Sequence, residues 1–320
     1  MSAPPAIAAD LGGGVYLIDS GFVRPELAGS YLLRGRDATA FVEVGTALST
    51  PRLLAALDAL NIDRAEIGYV VVTHVHLDHA GGAGTLLGQL PKAKLVVHPR
   101  GARHMADPTK LIAGATQVYG ESVLRQHYGT ILPVPTERIV EAVDGFVLDL
   151  GARPLRFLST PGHAKHHLVV FDEKTRGAFT GDAFGLAYPN PSMGDRRFIF
   201  PTTSPVQFDP EAMKASIDRI MALDPGRIYL THYGMLDDDL PRYAGILKRL
   251  VDAHVDVART VGLGADAEAQ IKAGLVTLFQ KELGLQDVTE DHQAALASWD
   301  MDLQLNAQGL LVWLKRSISG

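Results

Sequence analysis

The sequence predicts an α/β domain over residues 1–239 followed by a helical C-terminal extension over residues 240–320. Three observations carry this. Short β-branched runs alternate with helix-period patterns over the first three quarters of the chain, as strand–helix units require. One run, Tyr69–Thr73, is almost wholly apolar, the mark of a strand covered on both faces. From Leu240 onward the apolar residues recur only at helical spacing.

In chain order, Val15–Asp19, Ser30–Leu33 and Ala40–Val44 read as strands, with Gly12-Gly13-Gly14 and Arg36-Asp37 as turns. Thr50-Pro51 opens a helix with Leu53, Leu54, Leu57 and Leu60 on one face. After the Tyr69–Thr73 run, Lys94–His98, Arg138–Leu150, Pro154–Ser159, Leu168–Phe171, Ala178–Thr180 and Arg227–Thr231 supply further strands. Asp107-Pro108 and Asp209-Pro210 are helix starts with a capping carboxylate and proline in the first turn.

Tyr243, Ile246, Leu247, Leu250, Val251, Val255 and Ala258 then mark a helix that stops at Gly262. Asp266 caps a second helix bearing Ile271, Leu275, Leu278, Phe279 and Leu283, and Thr289 and Leu303–Leu314 predict two shorter ones. These helices are candidates for a covering layer, a lid over a substrate or the surface of a homodimer.

Composition narrows the function. The chain has no cysteine, so any metal site is built from histidine and carboxylate. The net charge is −6, and from Leu236 onward 13 acidic face 8 basic side chains. No nucleic acid or anionic membrane is therefore expected as a partner. The first ten residues lack the basic start of a signal peptide, and no apolar run reaches membrane-spanning length, so a soluble, cytoplasmic protein is expected.

The densest chemistry follows the buried run directly. His74-Val75-His76-Leu77-Asp78-His79 places three imidazoles and a carboxylate within six residues at a strand end, where side chains splay into a cleft. Neutral imidazole with carboxylate suits zinc, and also iron or manganese. Taken singly, His163 after Pro161-Gly162 reads as a turn residue and Asp182 as a turn or capping carboxylate.

Thr73–Gly82 resembles the T-H-x-H-x-D-H-x-G-G signature of the metallo-β-lactamase superfamily. Thr160-Pro161-Gly162-His163, Thr180-Gly181-Asp182 and Thr231-His232-Tyr233-Gly234 follow in the family's order, each after a predicted strand. The resemblance covers roughly residues 13–235. It implies the αββα four-layer sandwich, with metals at one sheet edge. It also implies that His74, His76 and His163 bind a first divalent ion, that Asp78, His79 and His232 bind a second, and that Asp182 bridges them. With Asp182 present and no cysteine, the set is similar to that of glyoxalase II and the lactonases.

The activity so implied is a dinuclear hydrolase, in which a hydroxide shared by the ions attacks the carbonyl of a small ester, thioester or lactone. Asp78 is expected to orient that hydroxide, and Tyr233, or less directly Tyr188, to donate to the developing oxyanion. The alternatives are a metal-dependent phosphodiesterase or ribonuclease, which calls for a basic surface, and a non-hydrolytic diiron redox or oxygen-binding protein, which usually carries glutamate at the position of His76. Around the site, Glu43 is expected to make structural hydrogen bonds, and His166 and His167 to be ordinary turn or core histidines, with support of the ligands from behind as the alternative for either. The irregular stretch Phe184–Phe208, with Tyr188-Pro189-Asn190-Pro191, Arg196 and Arg197, reads as a substrate wall or a packing loop.

Overall fold

Three hairpins and three crossovers build the first sheet, and chain length between strands decides which is which. A computed structural model describes residues 7–189, 197–203, 206–285 and 292–319; Asn190, Pro191, Arg196 and Thr289 lie outside the described residues. Strands β1 (Ala9–Asp10), β2 (Val15–Asp19), β3 (Gly29–Arg34) and β4 (Thr39–Val42) are joined by short links and pair antiparallel. From β4 to β5 (Ile67–Val71), β6 (Lys94–Val97) and β7 (Ile139–Glu141) the pairing is parallel. Parallel neighbours need long crossovers, and helices fill them. The β4–β5 crossover holds α1 (Thr50–Ala59), and the next holds α2 (Leu77–Ala80) and α3 (Ala83–Gln89). The last holds α4 (Pro99–Ala106), α5 (Thr109–Tyr119) and α6 (Glu121–Tyr128).

The two faces of this sheet are read from one register. Tyr16, Leu32, Phe41, Val70, Leu95 and Ile139 lie side by side across six strands and all join the apolar core that Leu53, Leu57 and Leu86 of the helices complete. The neighbouring row, Leu17, Tyr31, Val42, Val71 and Val96, points to the opposite face because successive strand residues alternate.

That opposite face meets a second sheet, ordered β13–β12–β11–β10–β9–β8, of β8 (Val147–Asp149), β9 (Pro154–Ser159), β10 (Leu168–Asp172), β11 (Gly177–Gly181), β12 (Arg227–Leu230) and β13 (Gly234–Leu236). Its pairs are antiparallel except β11–β12, whose connection contains α7 (Pro210–Met221). Tyr31 bridges the sheets: its hydroxyl donates to the Leu230 carbonyl at 2.5 Å, and its ring lies 5.1 Å from Phe179 and 5.5 Å from Tyr229. The fully buried Arg153 does the same by charge, pairing with Asp172 at 2.7 Å and donating to the carbonyls of Gly13, Gly14 and Arg34. Such a buried pair is sustained because its remaining donors are satisfied.

The chain forms two compact units. Both sheets and α1–α6 belong to the first; the second comprises Thr160–Lys165, Asp182–Leu223 and Asp238–Gly320. In the second, α7 packs on α8 (Leu240–Val261), and α9 (Ala267–Leu285), α10 (His292–Ser298) and α11 (Asp300–Ser319) pack beside it, with a cluster of aromatic rings joining Phe198 and Phe200 to Phe279 of α9 and to Trp299 between α10 and α11. Phe198 stacks on Trp299 at 4.7 Å, and Phe200 lies 5.0 Å from Phe279. No helix among the described residues is long and apolar enough to cross a membrane.

The α/β class with two mixed sheets and C-terminal helices is the one the sequence predicts. Local differences have local causes. Arg138–Leu150 is not one strand but two, β7 and β8, placed in different sheets. The Asp144-Gly145 turn divides them, with Gly145 at φ +81° and Phe146 N–H bonded to the Val143 carbonyl. His98 ends its strand because its imidazole accepts from the Arg100 N–H and so caps α4, with Pro99 in the first turn. The Leu303–Leu314 segment belongs to a helix of 20 residues, longer than expected, with Asp300 and Asp302 favouring its N-terminus. The described part of Phe184–Phe208 is packing: Phe184, Leu186, Tyr188, Phe198, Ile199 and Phe200 are all buried, and the Tyr188 hydroxyl donates to Asp302 at 3.0 Å.

Candidate metal centre

The centre begins where β5 stops being a strand. Beyond Val71, the Thr73 N–H leaves the ladder and donates to Glu43 Oε1 at 2.9 Å. His76 takes extended angles and starts the single-turn helix α2, which carries Asp78 and His79. Two tight approaches hold this turn. The Val44 N–H donates to the His79 carbonyl and the Gly82 N–H to the Gly45 carbonyl. A Cβ at Gly82 would collide with the carbonyls of Thr46 and Val44, so this position of the motif admits only glycine.

Three of the imidazoles, those of His74, His79 and His232, are oriented from behind. The Nδ1 of the fully buried His74 lies 3.1 Å from the Thr73 hydroxyl, which turns Nε2 forward to within 2.9 Å of His76 Nδ1. The equally buried His79 has Nδ1 3.0 Å from Glu43 Oε2, and His232 has Nδ1 2.7 Å from the Leu27 carbonyl. Their forward Nε2 atoms are 3.3 Å apart, and Asp78 Oδ2 lies 3.5 Å from the first and 3.3 Å from the second. Glu43 thus holds both the backbone entering the turn and the ring leaving it, the carboxylate–histidine arrangement found behind metal ligands.

His163 and Asp182 are held within the second unit. The Pro161 carbonyl accepts from the Ser216 hydroxyl at 2.6 Å, the Gly162 carbonyl from the Asp209 N–H, and the Lys165 N–H donates to Gln207. His163 Nε2 lies 3.4 Å from Asp182 Oδ2.

Ligand atoms of three groups each lie within 4.8 Å of one another: His74, His76 and His163; His74, His79 and Asp182; Asp78, His79 and His232. The three groups share members and together contain all seven ligands expected from the sequence, with none left over. The donor set fits a divalent ion. Ligands held about 2.0–2.1 Å from one ion at tetrahedral or octahedral angles stand roughly 2.9–3.4 Å from each other. The nitrogen pairs at 2.9 and 3.3 Å fall in that interval.

Other residues divide around this set. Tyr233 is buried beside His232, with its ring 3.4 Å from where a Cβ on Gly29 would stand. Tyr188 is hydrogen-bonded to Asp302 within the helical unit. Glu43 makes the structural bonds expected of it, and to more purpose. His166 and His167 are closer to the centre than ordinary core histidines: the His167 ring stacks on His74 at 4.9 Å, and His166 Nδ1 faces the Val75 N–H at 3.5 Å. A Cβ at Gly181 would strike both Thr73 Oγ1 and His167 Nε2, which explains the glycine before Asp182. Sequence reasoning missed Thr73 as a partner of His74, and Tyr128. The hydroxyl of Tyr128 is pushed above its ordinary pKa by burial and, secondarily, by the Asp78 carboxylate. The adjacency of Thr73 to His74 was a usable signal; for Tyr128 there was none.

A sequence model of the metallo-beta-lactamase superfamily matches residues 23–232. The chain is 31% identical over 228 residues to a metallo-beta-lactamase fold-containing protein from Sulfurisphaera tokodaii, covering 70% of this chain and 79% of that one. It is 30% identical over 200 residues to a hydroxyacylglutathione hydrolase from Cupriavidus taiwanensis, covering 60% of this chain and 58% of the relative. To an acyl-coenzyme A thioesterase from Bos taurus it is 29% identical over 197 residues, 54% of this chain and 64% of the relative. It thus spans less than two thirds of the last two. Among solved structures, a metallo-beta-lactamase family protein from Thermus thermophilus shares the fold with a TM-score of 0.68 at 21% identity, over 96% of this chain and 95% of that one.

Proposed function

We propose, for a chain that belongs to the metallo-beta-lactamase superfamily, the hydrolysis of an ester, thioester or lactone at a centre of two divalent ions, zinc first and iron or manganese next. One observation carries the reading: the three ligand groups are linked through His74 and His79, and Asp182 shares a group with both. A residue so placed suits a bridging carboxylate between one site built on His74, His76 and His163 and another built on Asp78, His79 and His232. When bound, such ions supply Lewis acidity towards a carbonyl and bring the pKa of water down towards 7.

The chain's own residues supply position and proton traffic. Glu43, Thr73 and the Leu27 carbonyl fix the three rings behind them, so that the forward nitrogens converge without rearrangement. Asp78, with its side chain 24% exposed, is the carboxylate of the set most open to solvent. It can accept a hydrogen bond from the attacking water and aim it. In the overall step the water oxygen bonds to the acyl carbon, the acyl–oxygen or acyl–sulfur bond breaks, and the water proton passes to the leaving group. Asp78 is placed to hold that proton between the two events. Tyr233 donates to the carbonyl oxygen as charge develops on it. The acyl class draws support from relatives named for acylglutathione and acyl-coenzyme A.

Elemental analysis of protein dialysed against zinc, followed by turnover of thioester, lactone, β-lactam and phosphodiester substrates, tests this. Two ions per chain with acyl hydrolysis is the expected result. One ion at saturation, or phosphodiester cleavage in preference to acyl cleavage, would overturn it.

A further inference from the structure

The first residue of β10 and the two histidines before it lie along the ligand-bearing turn. The Leu168 N–H donates to the Thr73 carbonyl at 2.7 Å. The fully buried His167 ring stacks on His74, with 4.9 Å between centroids and 28° between planes. The His166 ring lies nearly parallel to His74 at 6.2 Å and edge-on to His76 at 5.8 Å. Flat rings attract one another at these separations. Two side chains thus reach both His74 and His76, which share one ligand group with His163.

Each of the two imidazoles meets a local need. Val75 is fully buried between the two ligands, and a buried N–H requires an acceptor. His166 Nδ1 faces that N–H at 3.5 Å. His167 fills the space between His74 and the end of β11, where Gly181 leaves room for both His167 Nε2 and Thr73 Oγ1. The hydrogen bond from Thr73 fixes one edge of the His74 ring and leaves it free to rotate about that edge. A second ring stacked on its face removes this rotation. The other ligand group is held differently, His79 by Glu43 and His232 by the Leu27 carbonyl.

We propose that His166 and His167 are positioning residues for one ion of the pair, the one built on His74, His76 and His163. They fix the planes of the His74 and His76 rings before any metal arrives, and the second ion depends on Glu43 and Leu27 instead. This rests on the two-ion centre of the reading above and not on its substrate. Removing either histidine therefore weakens the two ions unequally, which a general loss of core packing does not do.

The test measures the zinc affinity of each ion on the full chain by competition with a chromophoric chelator, beside the thermal midpoint of the metal-free protein. His167→Gln keeps a polar group without a flat face, and one of the two affinities should fall about 10–100-fold while the other holds. His167→Phe restores the face and should recover most of that loss. The absorption of the cobalt-loaded protein, which reports ligand geometry, should change in His167→Gln and stay near wild type in His167→Phe. His166→Leu should weaken the same ion by less, because its bond to the turn is long. His254→Leu, equally buried but in α8, should leave both affinities as they are. Unchanged affinities in His167→Gln and His166→Leu overturn the proposal. So does a loss shared equally by both ions in step with a lower thermal midpoint, or an equal loss in His167→Gln and His167→Phe. The selective loss without hydrolysis of any ester supports the proposal and overturns the hydrolase reading. A single ion in wild type, weakened in His167→Gln and recovered in His167→Phe, supports the positioning role and overturns the two-ion centre.

Discussion

The turn after β5 and helix α8 both bury histidine completely, and they use it in opposite ways. In the turn, His74 and His79 are each held from behind by an oxygen and present the other nitrogen to a common point. In α8, the Nδ1–H of His254 donates to the Leu250 carbonyl at 2.7 Å, and Nε2 meets no hydrogen-bond partner among the described residues. The Phe279 ring lies 5.7 Å away. Burial pushes the pKa of His254 down to about 4. Burial alone thus makes a histidine neutral; convergence with other donors makes it a ligand.

The contrast is sharpest at Asp182, which faces His163 at 3.4 Å, whereas the carboxylate that acts on His254, Glu282, is paired with Arg249. Asp182→Asn keeps the size and removes the charge, so metal content should fall and turnover should drop by more than the roughly 100-fold typical of outer partners. Metal content, thermal midpoint and turnover measured on one sample decide it. Full loading with near-normal turnover would refute the bridging role.

Glu43→Gln loosens the hold on His79 without removing a ligand. Metal affinity should weaken by about 10–100-fold, read by competition with a chromophoric chelator. An unchanged affinity would reduce Glu43 to a support of the backbone at Thr73.

His254→Leu reaches the other pole of the comparison. The neutral form is favoured in the folded state, so the unfolded chain binds more protons as pH falls. Stability is therefore intact above about pH 6.5 and is lost progressively towards pH 4, by about 2–3 kcal/mol at pH 4.5 from this group. In metal-free protein His254→Leu should lose less stability than wild type between pH 7 and 4.5. Parallel denaturant titrations at the two pH values would show it, and equal losses would refute it.

The smallest effect is expected with RNA. With a net charge of −6, structured RNA should be neither bound nor cleaved measurably at physiological salt. Efficient cleavage abolished by Asp78→Ala would reverse the ranking of functions.

Much of the centre was legible because its signal is local. Residues 73–82 fall on one strand end and one turn of helix, so their spacing already places four donors together. The strands from Val15 to Val42 were legible for the same reason: short alternating runs separated by glycine or charged turns have few ways to pair. Glu43 was only half legible. It stands 30 residues from Thr73 and 36 from His79, and only the parallel pairing of β4 with β5 brings its carboxylate to both. The Arg138–Leu150 run failed because Asp144-Gly145 was read through as strand when it is the turn at which the chain changes sheets.

The sequence by itself determined the class of the fold, the kind of donor at the centre and the order in which those donors occur. Residue type fixes ligand chemistry, and periodicity fixes which face of an element is apolar. Tertiary structure alone decided which donors share a group and which oxygen stands behind His74, His79 and His232. Those outcomes depend on separations in space between residues far apart in the chain. Spacing along the sequence carries no information about such separations until the sheets have set their register.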